Sequence, residues 1–305
     1  MGCAAETDMV IPRMHPHQLE VRASDVRRLL RAQFPGWASE AIVRVPSAGT
    51  TNAMFRLGAD KVVRLPFIPG DGVDPVVEAE TLRRLAGALP VRIPRVLALG
   101  EPDADYPYRW SVLSWTPGNA PVPERLCAAS GLVDDLCGFL RVLQGVPADA
   151  APMAQRGGEL APLDGEVRAA IEQLASEYDS ELLHALWDDA LGAAPWRHGA
   201  VWLHSDLLPS NLLVDGRGRL CGVLDWAAAG VGDPACELLA AWNVFPAGAR
   251  ELFRARLGVD DDTWRRGRGW ALSQAVLALP YYRTTNPGMT EMALRSLAAL
   301  SSERR

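Results

Sequence analysis

Four residues in the stretch VWLHSDLLPSNLLVDGRGRLCGVLDW (201–226) have side chains suited to chemistry: His204, Asp206, Asn211 and Asp225. An apolar strand ends at His204, and a short loop then presents Asp206. Asn211 follows just before a second strand, LLV. The turn Asp215-Gly216-Arg217-Gly218 reverses the chain into LCGVL, which delivers Asp225 at its far end. A hairpin brings its two ends together, so Asn211 and Asp225 are expected side by side with Asp206 above them. Two carboxylates and an amide converging at strand ends suit a hard cation such as Mg²⁺, which takes oxygen ligands and keeps several waters. One carboxylate to accept the proton of an attacking hydroxyl, with an amide and a second carboxylate to hold the metal, is what phosphoryl transfer requires. A hydrolase triad is excluded. His204, Ser205 and Asp206 are chain neighbours that point in different directions, and no GxSxG elbow is present.

These residues also carry a resemblance. HSDLLPSN resembles the HxDxxxxN catalytic loop of the aminoglycoside phosphotransferase and choline kinase superfamily, and VLDW resembles its metal-binding strand end. GVGDPACEL, from Gly230, is similar to the segment that follows in that family. The resemblance implies Asp206 as catalytic base, Asn211 and Asp225 as Mg²⁺ ligands, and His204 as a support of the loop. Asp233 reads as a helix cap or loop brace. The family usually has Gly after the histidine, whereas this chain has Ser205, which is strained if the position needs a positive φ.

The elements that must position these groups come next. Ser24-Asp25 is expected to cap a short helix, VRRLLRAQF, and strands are expected at 41–45, 53–57 and 61–65. An amphipathic helix is expected over 76–88, then strands at Arg95–Leu99 and Arg109–Ser114. From Pro123 the pattern is mostly helical. A β-rich part followed by a helical one predicts an α+β, two-lobed chain, with residues 1–116 as one lobe and 117–305 as the other. The resemblance implies a bilobal protein-kinase-like fold, with a five-stranded antiparallel sheet in the N-terminal lobe and a mostly helical C-terminal lobe.

For the first lobe the resemblance implies nucleotide binding, with ATP or GTP as the phosphoryl donor. SAGTTNAMFRL is similar to the hairpin covering the phosphates, offering Ser47, Thr50 and Thr51. KVVRLP resembles the strand that carries the kinase lysine, with Arg64 in its place; strand alternation puts Lys61 on the opposite face. Glu78 rather than Glu80 is the expected partner of Arg64. RWSVLSWTPG resembles the hinge, where the adenine would bond to backbone at Ser114, Trp115 and Thr116 while the Trp115 ring packs.

The acceptor is expected to be a small molecule with a hydroxyl, of aminoglycoside, macrolide or nucleoside antibiotic type. Glu237, Trp242, Tyr281, Tyr282 and Asn286 are the expected acceptor residues. Residues 159–189 hold nine acidic side chains against one basic, Arg168, either a receptor for a polycationic sugar or a solvated face. A metabolic kinase for choline, homoserine or a sugar, and a non-catalytic nucleotide sensor, remain as alternatives.

Composition sets the outer bounds. The chain has 305 residues, 49% hydrophobic and 22% charged, with a net charge of −6. That is ordinary globular usage, and with no basic block it argues against a nucleic-acid partner. The five cysteines are odd in number and form no CxxC pair, no apolar run reaches 18 residues, and the start lacks a secretory h-region. The expectation is a cytoplasmic monomer or homodimer with no membrane partner.

Overall fold

Strand alternation sets the architecture of the first part of the chain. The structure is a computed structural model that describes residues 13–46, 49–68, 74–126 and 131–304. β1 (Ile42–Arg44), β2 (Asn52–Leu57), β3 (Lys61–Pro66), β4 (Val96–Gly100) and β5 (Trp110–Ser114) form one antiparallel sheet, ordered β1-β2-β3-β5-β4. In β2 the residues Ala53, Phe55 and Leu57 point inward, while Asn52, Met54 and Arg56 are part-exposed. That period of two packs Phe55, Leu57, Val63, Leu65, Trp110 and Val112 against Val26, Leu29 and Leu30 of α1 (Ala23–Gln33). Gly100 is required where β4 passes β5, because a Cβ there would lie 2.0 Å from the Trp110 ring.

The α1 cap is a correction to the sequence reading. The N-cap is Arg22, and Asp25 lies in the first turn with its carboxylate accepting the Arg22 N–H at 2.9 Å. α2 (Pro75–Leu85) begins where expected for a proline at the first helical position, with Asp74 capping the Val76 N–H. Its inward face buries Glu78, Ala79 and Leu82.

The remainder is helical around two short strand pairs. α3 (Leu132–Gln144), α4 (Asp164–Gln173) and α5 (Ser180–Leu191) precede β6 (Val201–Leu203), β7 (Leu212–Val214), β8 (Leu220–Val223) and β9 (Gly230–Gly232). β7 and β8 form the expected hairpin, and Asp215 ties its turn by accepting the Arg217 and Arg219 N–H groups. β6 pairs with β9, a strand the sequence reading did not separate from its loop. α6 (Ala240–Asn243), α7 (Ala247–Leu257), α8 (Asp261–Tyr282) and α9 (Pro287–Ser301) complete the chain. α8 is the long central helix, with Pro280 tolerated in its last turn. The α+β class is as expected.

The chain divides into two units, Met1–Ala86 with Ile93–Pro117, and Gly87–Arg92 with Gly118–Arg305. Among the described residues no helix is long and apolar enough to cross a membrane. Cys137, Cys221 and Cys236 are free thiols; Cys3 and Cys127 lie outside the described residues.

Candidate active site

In the second unit β6 runs into His204, whose ring is wholly buried with its centroid 4.8 Å from that of Trp226. His204 Nε2 lies 2.8 Å from the Leu224 carbonyl, an acceptor only, so Nε2 carries the proton. Nδ1 is then the acceptor for the Asp206 N–H at 3.3 Å. Burial pushes the imidazole pKa down and holds it neutral in this tautomer. His204 thus clips the Asp206 loop to the strand end that bears Asp225.

Ser205 adopts φ 64°, the left-handed region that favours glycine. Its side chain offsets part of that strain: Oγ donates to the Ala228 carbonyl at 2.8 Å, and its N–H donates to Glu237 Oε1 at 2.7 Å. Asp225 is also left-handed, with φ 61°. The two strained residues flank the same loop system, a pattern common where geometry is over-determined by function.

The Asp206 carboxylate is held on both oxygens. Oδ1 accepts from Arg156 at 2.8 Å and from Gln274 Nε2 at 3.2 Å; Oδ2 accepts from Asn211 Nδ2 at 3.1 Å. Asn211 Nδ2 also donates to the Asp206 carbonyl, which turns Asn211 Oδ1 away from Asp206. Leu224 N donates to the Asn211 carbonyl at 2.8 Å, so Asn211 sits beside the strand end leading into Asp225. Asp206 and Asp225 both act on the charge of Arg156, Asp206 the more strongly. Asp206 and Asn211 are thus in direct contact, and Asp225 follows the strand end bonded to Asn211. Among the described residues no three His, Cys, Asp or Glu side chains form a metal cluster. A site of one amide oxygen and one carboxylate suits a cation that keeps waters and takes phosphate oxygens as further ligands.

In the first unit Arg64 and Glu78 are buried and paired, Nη1 to Oε1 at 2.6 Å. Lys61 is on the other face, paired with Glu40 at 3.2 Å and with Asp60. Asn52 on β2 faces the same guanidinium; with its amide oxygen toward Arg64, Nε and Nη2 lie 3.2 Å away. The His15 ring is 2.6 Å from the Thr50 carbonyl, and the Thr51 carbonyl accepts the Phe67 N–H. Ser47 lies outside the described residues.

A profile described as "phosphotransferase enzyme family" matches residues 42–270, a span covering both units' candidate residues. The chain belongs to this family. Viomycin phosphotransferase of Streptomyces vinaceus is 33% identical over 184 residues, 53% of this chain and 60% of that one. Protein YcbJ of Bacillus subtilis (strain 168) is 36% identical over 81 residues, 27% of this chain and 25% of that protein. The chain therefore spans less than two thirds of either relative's length. A solved GDP complex of wild-type aminoglycoside 2'-phosphotransferase-IIIa shares the fold at a TM-score of 0.72, with 18% identity over 92% of this chain and 99% of that one.

Some expected roles do not survive in this phosphotransferase-family chain. Trp242 is fully buried, packs on Trp264 and donates its Nε1–H to Glu303 at 2.7 Å, so it is core rather than pocket wall. Glu237 is fully buried beneath the Asp206 loop and braces Ser205; it cannot meet an acceptor. Asn286 is 5% exposed and caps α9 through Met289 N–H. Tyr281 and Tyr282 pack edge to face, and Tyr281 is 51% exposed, so of the acceptor set this pair alone reaches the surface. At the expected hinge residues the N–H of Ser114 bonds to Arg95 O, and that of Trp115 to Asp60 O. The Trp115 ring packs under Arg56, and the two bonds occupy the N–H groups of Ser114 and Trp115. Asp233 does act as a cap, toward Ala235 N–H, and it pairs with Arg266 at 2.6 Å. Six of the nine acids in 159–189 are already engaged: Asp164 and Asp188 by Arg168, Glu172 by His184, Glu177 by Arg283, Asp189 by Arg265, and Asp179 as a cap.

Arg156 and Gln274 were missed. They lie 50 residues before and 68 after Asp206 along the chain.

Glu237 has a consequence for stability. Its Oε2 has no partner among the described residues, and burial raises its pKa from 4.5 to about 7. The folded chain therefore holds this proton more tightly than the unfolded one. The contribution is full below pH 4.5 and is lost as pH rises through about 7, a swing of about 3 kcal/mol. Glu237→Gln keeps an oxygen for Ser205 and carries no charge. Thermal melts across this pH range should show a flatter profile for the variant and a higher Tm than wild type on the alkaline side. An identical slope in both proteins would place the titration elsewhere.

Proposed function

We propose that this chain is a nucleotide-dependent O-phosphotransferase acting on a hydroxyl of an antibiotic-like small molecule. The observation that carries this reading is the Asp206 carboxylate: Oδ1 is filled by two donors, Arg156 and Gln274, while Oδ2 has one, Asn211. A carboxylate oxygen has two lone pairs, so Oδ2 keeps one directed acceptor site for a hydroxyl proton. In the proposed step the acceptor hydroxyl gives its proton to Asp206 Oδ2 as its oxygen bonds to the γ-phosphorus. The bond from that phosphorus to the bridging oxygen breaks, and the nucleoside diphosphate leaves. Asn211 Oδ1 and Asp225 are the residues that would hold Mg²⁺, which supplies charge neutralisation on the phosphates. Arg64, fixed by Glu78, is assigned to the phosphates in the first unit, with Thr50, Thr51 and the Thr116 backbone as further nucleotide contacts.

The antibiotic assignment is supported by the viomycin enzyme's similarity and by the aminoglycoside-phosphotransferase fold. The deciding assay is Mg²⁺-dependent ADP and GDP release over a panel of viomycin, aminoglycoside, macrolide, nucleoside-antibiotic, choline, homoserine and sugar acceptors. Acceptor-dependent release with an antibiotic, absent in Asp206→Ala, is the expected result. Release with a metabolite alone would replace the antibiotic by a metabolic substrate. Nucleotide binding with neither acceptor turnover nor hydrolysis would turn the reading into a sensor.

A further inference from the structure

Gln274 projects from α8 to the base, and the orientation of its amide decides what it offers. With Nε2 toward Asp206 it donates; turned over, it would set its own oxygen against a carboxylate. Asp206 only accepts, which selects the first arrangement, and the core matches it. Gln274 Oε1 accepts from Asn243 Nδ2 on α6 at 2.8 Å, and Asn243 Oδ1 accepts the hydroxyl of Ser296 on α9. Asn243 and Ser296 have no exposed surface. The hydrogens run one way, from Ser296 to Asn243 to Gln274 to Asp206 Oδ1. Turning over Gln274 would set its oxygen against Asp206 and its nitrogen against Asn243 Nδ2, and turning over Asn243 would set its oxygen against Gln274 Oε1. A directed chain of this kind polarises each successive bond. A buried amide and hydroxyl contribute little to stability compared with apolar side chains of the same shape, so packing alone does not account for them.

We propose that Gln274 is a positioning residue for phosphoryl transfer, oriented through Asn243 and Ser296, and that its bond to Oδ1 turns the Asp206 carboxylate so that Oδ2 receives the proton. This rests on the reading of Asp206 as the base. Arg156 holds the same oxygen as a charge, whereas Gln274 sets the plane of the carboxylate from a rigid helix.

The test compares wild type with Gln274→Met, Gln274→Glu, Asn243→Asp and Asp206→Ala, with thermal melts as a folding control. Nucleoside diphosphate release is read with Mg²⁺-ATP or Mg²⁺-GTP, with viomycin as acceptor and with water alone, across the pH range. Gln274→Met removes the donor at nearly constant volume; kcat should fall about tenfold while KM for nucleotide and viomycin changes less than about twofold. Gln274→Glu sets a second carboxylate against Asp206, so the acid limb of the kcat profile should move up by about one pH unit. Asn243→Asp favours the turned-over Gln274 amide and should reproduce the Gln274→Met loss without touching the loop. A residue that only packs would move neither the pH limb nor kcat apart from KM. Wild-type kcat and an unmoved limb in folded Gln274→Met and Gln274→Glu, beside an inactive Asp206→Ala, would overturn the inference and leave the base reading intact. Turnover that survives in Asp206→Ala overturns both.

Discussion

Asp206→Asn should yield a folded protein whose kcat is about 10²–10⁴-fold below wild type, the range a positioned general base supplies. The substitution is nearly isosteric. Its amide oxygen can still accept from Arg156 and Gln274. Asn211 Nδ2, now facing a second amide nitrogen, keeps its bond to the backbone carbonyl of that position, so the His204 clip is preserved. What is lost is the oxygen proposed to take the proton. Because an amide does not titrate in the working range, raising the pH should not restore the rate, and nucleotide KM should change only a few-fold. Steady-state kinetics over pH make the comparison. A loss of less than about tenfold would mean that the proton goes elsewhere, for instance straight to the phosphoryl oxygens.

The other large effect is on stability. Glu78→Ala takes the carboxylate from a guanidinium that is only 7% exposed, and removing one partner of a buried pair costs about 3–5 kcal/mol. The loss should appear as a lower denaturation midpoint in urea for the first unit. Replacing both partners, Arg64→Met with Glu78→Leu, should recover most of that stability because no charge is left buried. The double variant should still bind nucleotide poorly, since the cation proposed to meet the phosphates is gone. Recovery of both stability and nucleotide affinity would remove Arg64 from the proposed phosphate contacts.

The loop from His204 to Asp225 was legible because its parts are close in sequence and held by one hairpin. A period of two separated Arg64 from Lys61 and picked the residue that pairs with Glu78. The left-handed Ser205 was foreseeable from the glycine the family usually has there. Arg156 and Gln274 were not legible, because only tertiary packing of distant segments carries them to Asp206. Glu237 and Trp242 were misplaced for the opposite reason. Each is near the site along the chain, but the 3₁₀ turn Pro234–Leu239 and α6 direct them into the core. The α1 cap slipped by two residues because Asp25 satisfies the end of the helix from within its first turn.

The segment Gly87–Arg92 belongs with the second unit although strands of the first unit both precede and follow it. Arg92 donates its N–H to the Cys221 carbonyl, and its own carbonyl accepts the Val223 N–H, so it lies along β8 like an added edge. Dissecting the protein with a single cut after Pro117 would therefore give a C-terminal fragment with a bare strand edge beside the hairpin that leads to Asp225. Such a fragment is prone to aggregate by edge pairing. A faithful dissection needs three cuts or a circularly permuted gene that carries residues 87–92 with the C-terminal part. Mixing a synthetic peptide of that segment with the fragment is the simplest complementation experiment.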